Sequence, residues 1–249
     1  MDNHVILLRV NQYWESQSHN PNQPSREQVY SGNPNWLDTR LEWFETYLLE
    51  NLKTQIDMGF WCFMLIDPQT PPSYKEKLYS YEKLGFIKII ENNGDNPVSG
   101  SPSGREFNKD IINSYQSIKQ NTSDEIICSR IDTDDMVGPH WNVAVKNLLV
   151  DHKRISLETC LLYNLLNKET KLIKFSKGSF VSTKSTLNNF DNPRGFSHND
   201  SNAISIDTDY PLVCMGIHDN NVTNHNWWGA GKPHPLEEEI FNQMFKIKK

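Results

Sequence analysis

A chain of 249 residues, 37% hydrophobic and 22% charged, suits one large α/β domain or two small ones and is too apolar for wholesale disorder. Its net charge of -6 and pI near 5.8 argue against a protein built to grip nucleic acid or an anionic membrane. An anionic small ligand remains compatible with that charge, provided that a local cation meets it.

No run is long and apolar enough for a transmembrane helix, and "MDNHVILLRV" lacks the charged start and cleavage site of a signal peptide. Cys62, Cys128, Cys160 and Cys214 lie far apart in apolar runs, with no CxxC pair. Buried, reduced thiols and a reducing cytoplasm are the expectation.

"VILLRV" (Val5–Val10) predicts a buried first strand, and a polar loop follows to about Asn33. Asn33 and Pro34 read as the cap and first residue of an amphipathic helix with Leu37, Leu41, Phe44, Leu48 and Leu52 on one stripe. "FWCFMLID" is a second buried strand ending at Asp67, before the turn signal "PQTPPS". A short helix over Lys75 to Leu84 leads to a third strand, Phe86–Ile90. Beyond a loop, Ser103 and Glu106 read as a capping box for a helix carrying Phe107, Ile111, Ile112, Tyr115 and Ile118. "EIICSRI" is the fourth strand, so the order β-α-β-α-β-α-β predicts a parallel sheet with helices on both faces.

After Pro139 a helix with Trp141, Val145 and Leu148 is expected. The pattern then changes to strands: two around a polar turn at Asn167–Thr170, a third in "SFVSTK", and another in "YPLVCMGIHDNN" ending at His218. A glycine-rich aromatic loop and a closing helix complete the chain, which reads as one α/β domain with a parallel first half and a mixed second half.

Directly behind the fourth strand stand Asp132, Asp134 and Asp135. Like charges this close repel, and outside the carboxyl end of a strand they lie where α/β sheets bind ligands. A solvated acidic turn is one reading. A calcium loop starting at Asp132 fails, because Val137 and Val143 fall where glycine and the bidentate glutamate belong. A magnesium nuclease or phosphotransferase site needs carboxylates from separate elements. A D-x-D cluster of the nucleotide-sugar type fits best: a divalent cation on one or two carboxylates neutralises a departing diphosphate, and a further Asp can bind the ribose.

"LLRVN", "WLDTRLEWFETYLLENLKTQ" with its W-L-x-x-R-x-x-x-F pattern, "FWCFMLIDPQTPPSYKEKL", "SRIDTDD" and "IHDNNVTN" follow one another along most of the chain. In this ordered set the chain resembles the rhamnosyltransferase family of GT-A glycosyltransferases. The resemblance implies a single GT-A-like domain over 1–249, with a nucleotide-sugar-binding half to about 138, an acceptor half over about 139–217 and a metal and lid tail over 218–249. It implies transfer of a sugar, rhamnose among the possibilities, from a nucleoside-diphosphate sugar to a carbohydrate acceptor such as a surface-polysaccharide precursor, with Mn2+ or Mg2+. A divalent-metal nucleotide-sugar phosphohydrolase and a non-catalytic nucleotide- or glycan-binding protein are the alternatives.

By the same resemblance Asp134 is the metal ligand, Asp132 binds the ribose or sugar, Asp135 completes the metal cluster and His218 adds an imidazole. Arg9, Asn11 and Asp67, at strand ends on the ligand side, would hold the base and ribose. On an extended strand Arg130 shares a face with Asp132, so it either reaches the diphosphate or braces that carboxylate. Arg40 either pairs with a donor phosphate or lies on the surface. Asp200 and His198 in "GFSHNDSNAI" are the general-base candidates, with Asp191 and Asp207 competing. "NWWGAGK" offers indole faces for a sugar and a glycine-hinged lid whose Lys232 meets the diphosphate. Asn220, Asn221 and Asn224 bind phosphate or cap the turn.

Overall fold

A computed structural model describes residues 3–11, 35–92, 102–119, 123–174, 180–193, 202–218 and 237–248. The chain divides into two compact units that interleave in sequence. Unit 1 comprises Met1–Glu42, Gly59–Thr133 and Thr183–Ser197; unit 2 comprises Trp43–Met58, Asp134–Ser182 and His198–Lys249. The expected capping pair Asn33–Pro34 lies outside the described residues. Its helix runs as α1 (Asn35–Trp43), a π-helical turn (Phe44–Leu48) and α2 (Leu49–Lys53), and the expected apolar stripe is buried throughout. At the π turn the Leu49 N–H reaches back to the Phe44 carbonyl, five residues away, a local widening often found near functional sites.

In unit 1, β1 (His4–Arg9), β2 (Phe60–Ile66), β3 (Ile87–Glu91) and β4 (Glu125–Asp132) are the four expected strands. β1 lies between β2 and β4, β3 flanks β2, and all three pairings are parallel. Residues 183–186 of β9 (Val181–Thr186) lie on the far side of β4. These strands read as apolar runs because a parallel sheet is buried on both faces. One face packs Val5, Leu7, Phe63, Leu65, Ile90 and Cys128 against Ile111 and Tyr115 of α4 (Pro102–Ile118). On the other face His4 Nε2 lies 2.8 Å from Ser129 Oγ, so this wholly buried imidazole has a partner.

Two helices begin earlier than expected. α3 (Pro72–Ser80) and α4 both start at a proline, whose missing N–H is no loss in a first turn. Ser103 therefore lies inside α4; the capping-box side chains are outside the described set. A 3-10 turn (Tyr81–Leu84) closes α3, and Gly85 at φ 80 ends it in the left-handed conformation that glycine adopts without penalty.

Unit 2 carries a four-stranded mixed sheet in the order β5 (Met136–Val137), β11 (Val213–Ile217), β7 (Thr159–Asn164), β8 (Thr170–Lys174). β11 is antiparallel to β5 and parallel to β7, which is antiparallel to β8 around the expected polar turn. α5 (Trp141–Asp151) buries Trp141, Val145 and Leu149, one position beyond the expected Leu148. β6 (Arg154–Leu157) pairs in parallel with β10 (Ile204–Ile206). Strands β5, β6 and β10, of two to four residues, were not expected: such lengths hold too few residues for a period to show. The parallel-then-mixed α/β order is as read. All four cysteines are free and buried, and no helix among the described residues is long and apolar enough to cross a membrane.

The closing helix, α6 (Glu237–Met244), lays Phe241 on Tyr163 with ring centroids 4.5 Å apart. The segment after it is clamped by wholly buried Asn51. Its Nδ2 donates to the carbonyls of Tyr47 (2.6 Å) and Lys246 (2.7 Å), and its Oδ1 accepts from the Lys246 N–H at 2.8 Å. Asn51→Ala leaves two backbone groups of residue 246 without these partners and is expected to cost roughly 1–3 kcal/mol. Denaturant unfolding measures that loss, and faster hydrogen exchange at the Lys246 amide locates it.

Candidate active site

Parallel pairing brings the polar strand ends of unit 1 to one edge. The register sets Arg9 beside Asp132 on the neighbouring strand, so both side chains leave the same face. Two residues before Asp132 and on that same face, Arg130 places Nη2 at 3.4 Å from Asp132 Oδ2. Arg130 thus lies against Asp132, the contact that one of its two expected roles requires. The edge thus sets two guanidinium groups beside the carboxylate of Asp132, with Asp67 at the end of the neighbouring strand β2.

At the end of β2 the side chains of Asn11 and Asp67 shape a loop. Asn11 Oδ1 accepts the Asp67 N–H at 3.3 Å, and its Nδ2 donates to Thr70 Oγ1 at 2.8 Å. Asp67 is wholly buried: its Oδ1 accepts the Gln69 N–H at 2.8 Å, and its carbonyl accepts the Thr70 hydroxyl at 2.5 Å. Asp and Asn recur in such turns because their side chains bond backbone nearby.

Arg40 reaches the acidic motif from α1. Its Nη1 donates to Thr133 Oγ1 at 3.2 Å, and its guanidinium carbon lies 4.6 Å from the centre of the Trp36 ring, one helical turn back. Thr133, wholly buried and flanked in sequence by Asp132 and Asp134, is a partner of Arg40 that the sequence reading passed over.

In unit 2, Asp134 and His218 come together. Asp134 Oδ2 lies 3.2 Å from His218 Nε2; the residues are only 8% exposed each. Trp43 covers the imidazole, with ring centroids 4.1 Å apart at 36°. The approach depends on Gly216 of β11, where an added Cβ would lie 2.2 Å from the Asp134 carbonyl oxygen. Neither Trp43 nor Gly216 carries a sequence signal for this place, since each reads as an ordinary apolar position.

Asp135 follows the turn at Thr133 and Asp134 and is buried. Burial pushes the thiols of Cys160 and Cys214 well up, and the Asp135 charge adds to both shifts. Among the described residues no three His, Cys, Asp or Glu are grouped to hold a metal, so Asp134, Asp135 and His218 do not assemble as one set. Two donors side by side on one cation at about 2.1 Å each are roughly 3 Å apart. The Asp134–His218 spacing fits that, and a carboxylate with an imidazole suits Mn2+ better than Mg2+, which favours oxygen.

Of the base candidates, Asp207 is engaged otherwise. Lys174 Nζ is 2.5 Å from its Oδ2, and the Thr159 hydroxyl bonds its Oδ1; these partners hold the carboxyl below its usual range. The Asp191 N–H donates to Ser185 Oγ at 3.1 Å and its carbonyl accepts the Thr183 hydroxyl. His198, Asp200, Asn220, Asn221, Asn224 and Lys232 lie outside the described residues.

Gly216→Ala forces the Asp134 backbone off β11. It is expected to cost about 1–3 kcal/mol and to part Asp134 from His218. Denaturation gives the first quantity and the His218 ring resonances the second; an unshifted His218 spectrum in the folded variant would refute the close approach.

The model of the protein family described as "Putative rhamnosyl transferase" matches residues 15–159, more than half of the chain. No curated protein matches. Among solved structures, S. aureus TarS 1-349 in complex with UDP is similar at 8% identity and a TM-score of 0.44, over 87% of this chain and 61% of that one. The same protein in complex with UDP-GlcNAc is similar at 9% identity and a TM-score of 0.44, over 88% and 59%. A "putative nucleotide-diphospho-sugar transferase" from Desulfovibrio desulfuricans G20 is similar at 10% identity and a TM-score of 0.37, over 91% and 89%. The chain therefore spans about three fifths of the length of those TarS chains.

Proposed function

We propose, from the premise that the chain belongs to the "Putative rhamnosyl transferase" family, that it transfers a sugar from a nucleoside-diphosphate donor to a carbohydrate acceptor. The observation that carries the reading is the strand-end edge where Arg9 stands beside Asp132 and Arg130 braces the same carboxylate. Guanidinium groups match phosphate oxygens, and a braced carboxylate accepts hydrogen bonds from ribose hydroxyls. Asn11 and Asp67 contribute through the loop they shape beside that edge. A rhamnosyl donor is the finer reading, and it follows the family's description.

Asp134 and His218 would hold the divalent cation, with Asp135 supporting the turn. Mn2+ would be preferred to Mg2+ on the chemistry of a donor pair made of a carboxylate and an imidazole. When bound, such a cation supplies positive charge to a diphosphate leaving group. Trp43 lies against the His218 ring and restricts its plane, and both members of the pair are largely buried. The acceptor hydroxyl needs a base to take its proton as its oxygen attacks. Asp200 and His198 are proposed for that task. Lys232 and the "NWWGAGK" segment are proposed to meet the donor.

Calorimetric titration with UDP, GDP and dTDP, each with Mn2+ and with EDTA, tests the reading. At least one diphosphate is expected to bind, with affinity about tenfold or more higher with Mn2+ (a difference of about 1.4 kcal/mol). Asp134→Asn should bring the Mn2+ value down to the EDTA value. Absence of binding by all three nucleotides sinks the proposal; equal affinities of Asp134→Asn and the parent protein sink the metal assignment. Donor turnover that requires an added glycan separates a transferase from a phosphohydrolase.

A further inference from the structure

We infer that Arg40 is an anchor for the diphosphate of the donor, acting from α1 and independently of the cation; the inference rests on the donor reading above. Its side chain is partly buried, and its charge has no counter-ion among the described residues. The partners recorded for it there are the Thr133 hydroxyl and the face of Trp36. Its Nε is buried with no hydrogen-bond acceptor.

The helix cannot supply the missing anion. On a helical surface the neighbours of residue 40 are three and four positions away, and these are Trp36, Leu37, Trp43 and Phe44. The nearest acids along the chain, Asp38 and Glu42, are each two positions away and so lie on other faces; Asp38 accepts the Tyr74 hydroxyl at 2.9 Å, and Glu42 is exposed. Desolvating a guanidinium without an opposite charge is unfavourable, so a residue kept this way is suited to a counter-charge that arrives with a ligand.

The geometry also fixes where that ligand sits. Trp36 occupies one face of the guanidinium plane, and Thr133 takes an Nη1 proton at the heart of the acidic motif. Nη2 is left to donate to a second acceptor, and the guanidinium fork matches the paired oxygens of a phosphate group. The ligand chemistry is therefore a phosphate or diphosphate, held beside the acidic motif. In transfer, the bond between the sugar carbon and the diphosphate oxygen breaks, and that oxygen keeps the electron pair. The acceptor oxygen bonds the same carbon, and its proton passes to the base. Arg40 meets the negative charge that grows on the departing diphosphate.

The test uses the whole chain and its Arg40→Gln and Arg40→Lys variants. Glutamine keeps a donor for Thr133 and removes the charge; lysine keeps the charge and removes the fork. The probes are pyrophosphate, the nucleoside diphosphate bound best by the parent protein and its parent nucleoside, the last followed by ligand-observed NMR. Arg40→Gln is expected to weaken diphosphate and pyrophosphate about 10- to 100-fold, by the same factor with Mn2+ and with EDTA. The nucleoside should bind unchanged, and Arg40→Lys should fall between.

Unchanged diphosphate affinity in Arg40→Gln overturns the inference. So does a parallel loss of nucleoside and diphosphate, which marks a packing role. Absence of any diphosphate binding by the parent protein is a different result: it removes the donor reading itself, and the inference goes with it.

Discussion

Parallel pairing is the constraint on which unit 1 depends. When β1 takes β2 on one side and β4 on the other, all in the same direction, their carboxyl ends must finish at one edge. The strand interiors are apolar because both faces are covered, so polar side chains can emerge only where the strands stop. Arg9, Arg130 and Asp132 are placed by that rule. The register then selects among them: Arg9 falls abreast of Asp132 and not of Ile131, so charges of opposite sign share a face. A slip of one residue between β1 and β4 would send Arg9 to the opposite face from Asp132, whereas Arg130 shares a strand with Asp132 and keeps its face.

Unit 2 depends on a different restraint, the absence of a side chain at Gly216. β11 is wholly buried, and the backbone of Asp134 lies against it at a distance that no Cβ would permit. That contact brings a carboxylate to an imidazole two residues further along. The packing beneath is aromatic, running through Tyr47, Tyr163, Phe241 and Phe245, with the Trp43 ring over His218 at its border. Rotamer freedom at His218 is therefore restricted by the Trp43 ring on one side and the Asp134 carboxylate on the other.

Much of this was legible in the sequence, and the reasons for success and failure are specific. Long apolar runs such as Phe60–Ile66 announce a strand covered on both faces, and four of them spaced by helical patterns announce parallel pairing. The two-residue alternation along β4 correctly put Arg130 with Asp132. The meeting of Asp134 with His218 joins residues more than eighty positions apart, and no local period encodes that; it came from resemblance. Gly216 was invisible because a glycine in an apolar strand gives no hint of which backbone approaches it. Asp135 was grouped with its neighbours by adjacency in sequence, whereas in the fold its charge acts on the buried thiols of Cys160 and Cys214.

The charge balance of the chain sharpens what these pieces are for. A net charge of -6 opposes an anionic ligand at long range, and screening reduces that repulsion beyond about 8 Å at physiological salt. Within that distance only local groups matter, and at the strand-end edge of unit 1 these include the guanidinium groups of Arg9 and Arg130. Arg130 is partly neutralised by Asp132, whereas Arg40 is held by a hydroxyl and an aromatic face, neither of which cancels its charge. The two cations therefore differ in kind. Arg130 spends part of its field on orienting a carboxylate; Arg40 keeps its field for whatever negative charge comes within reach. An acidic protein can in this way leave most anions outside while holding one whose shape brings phosphate oxygens to that guanidinium.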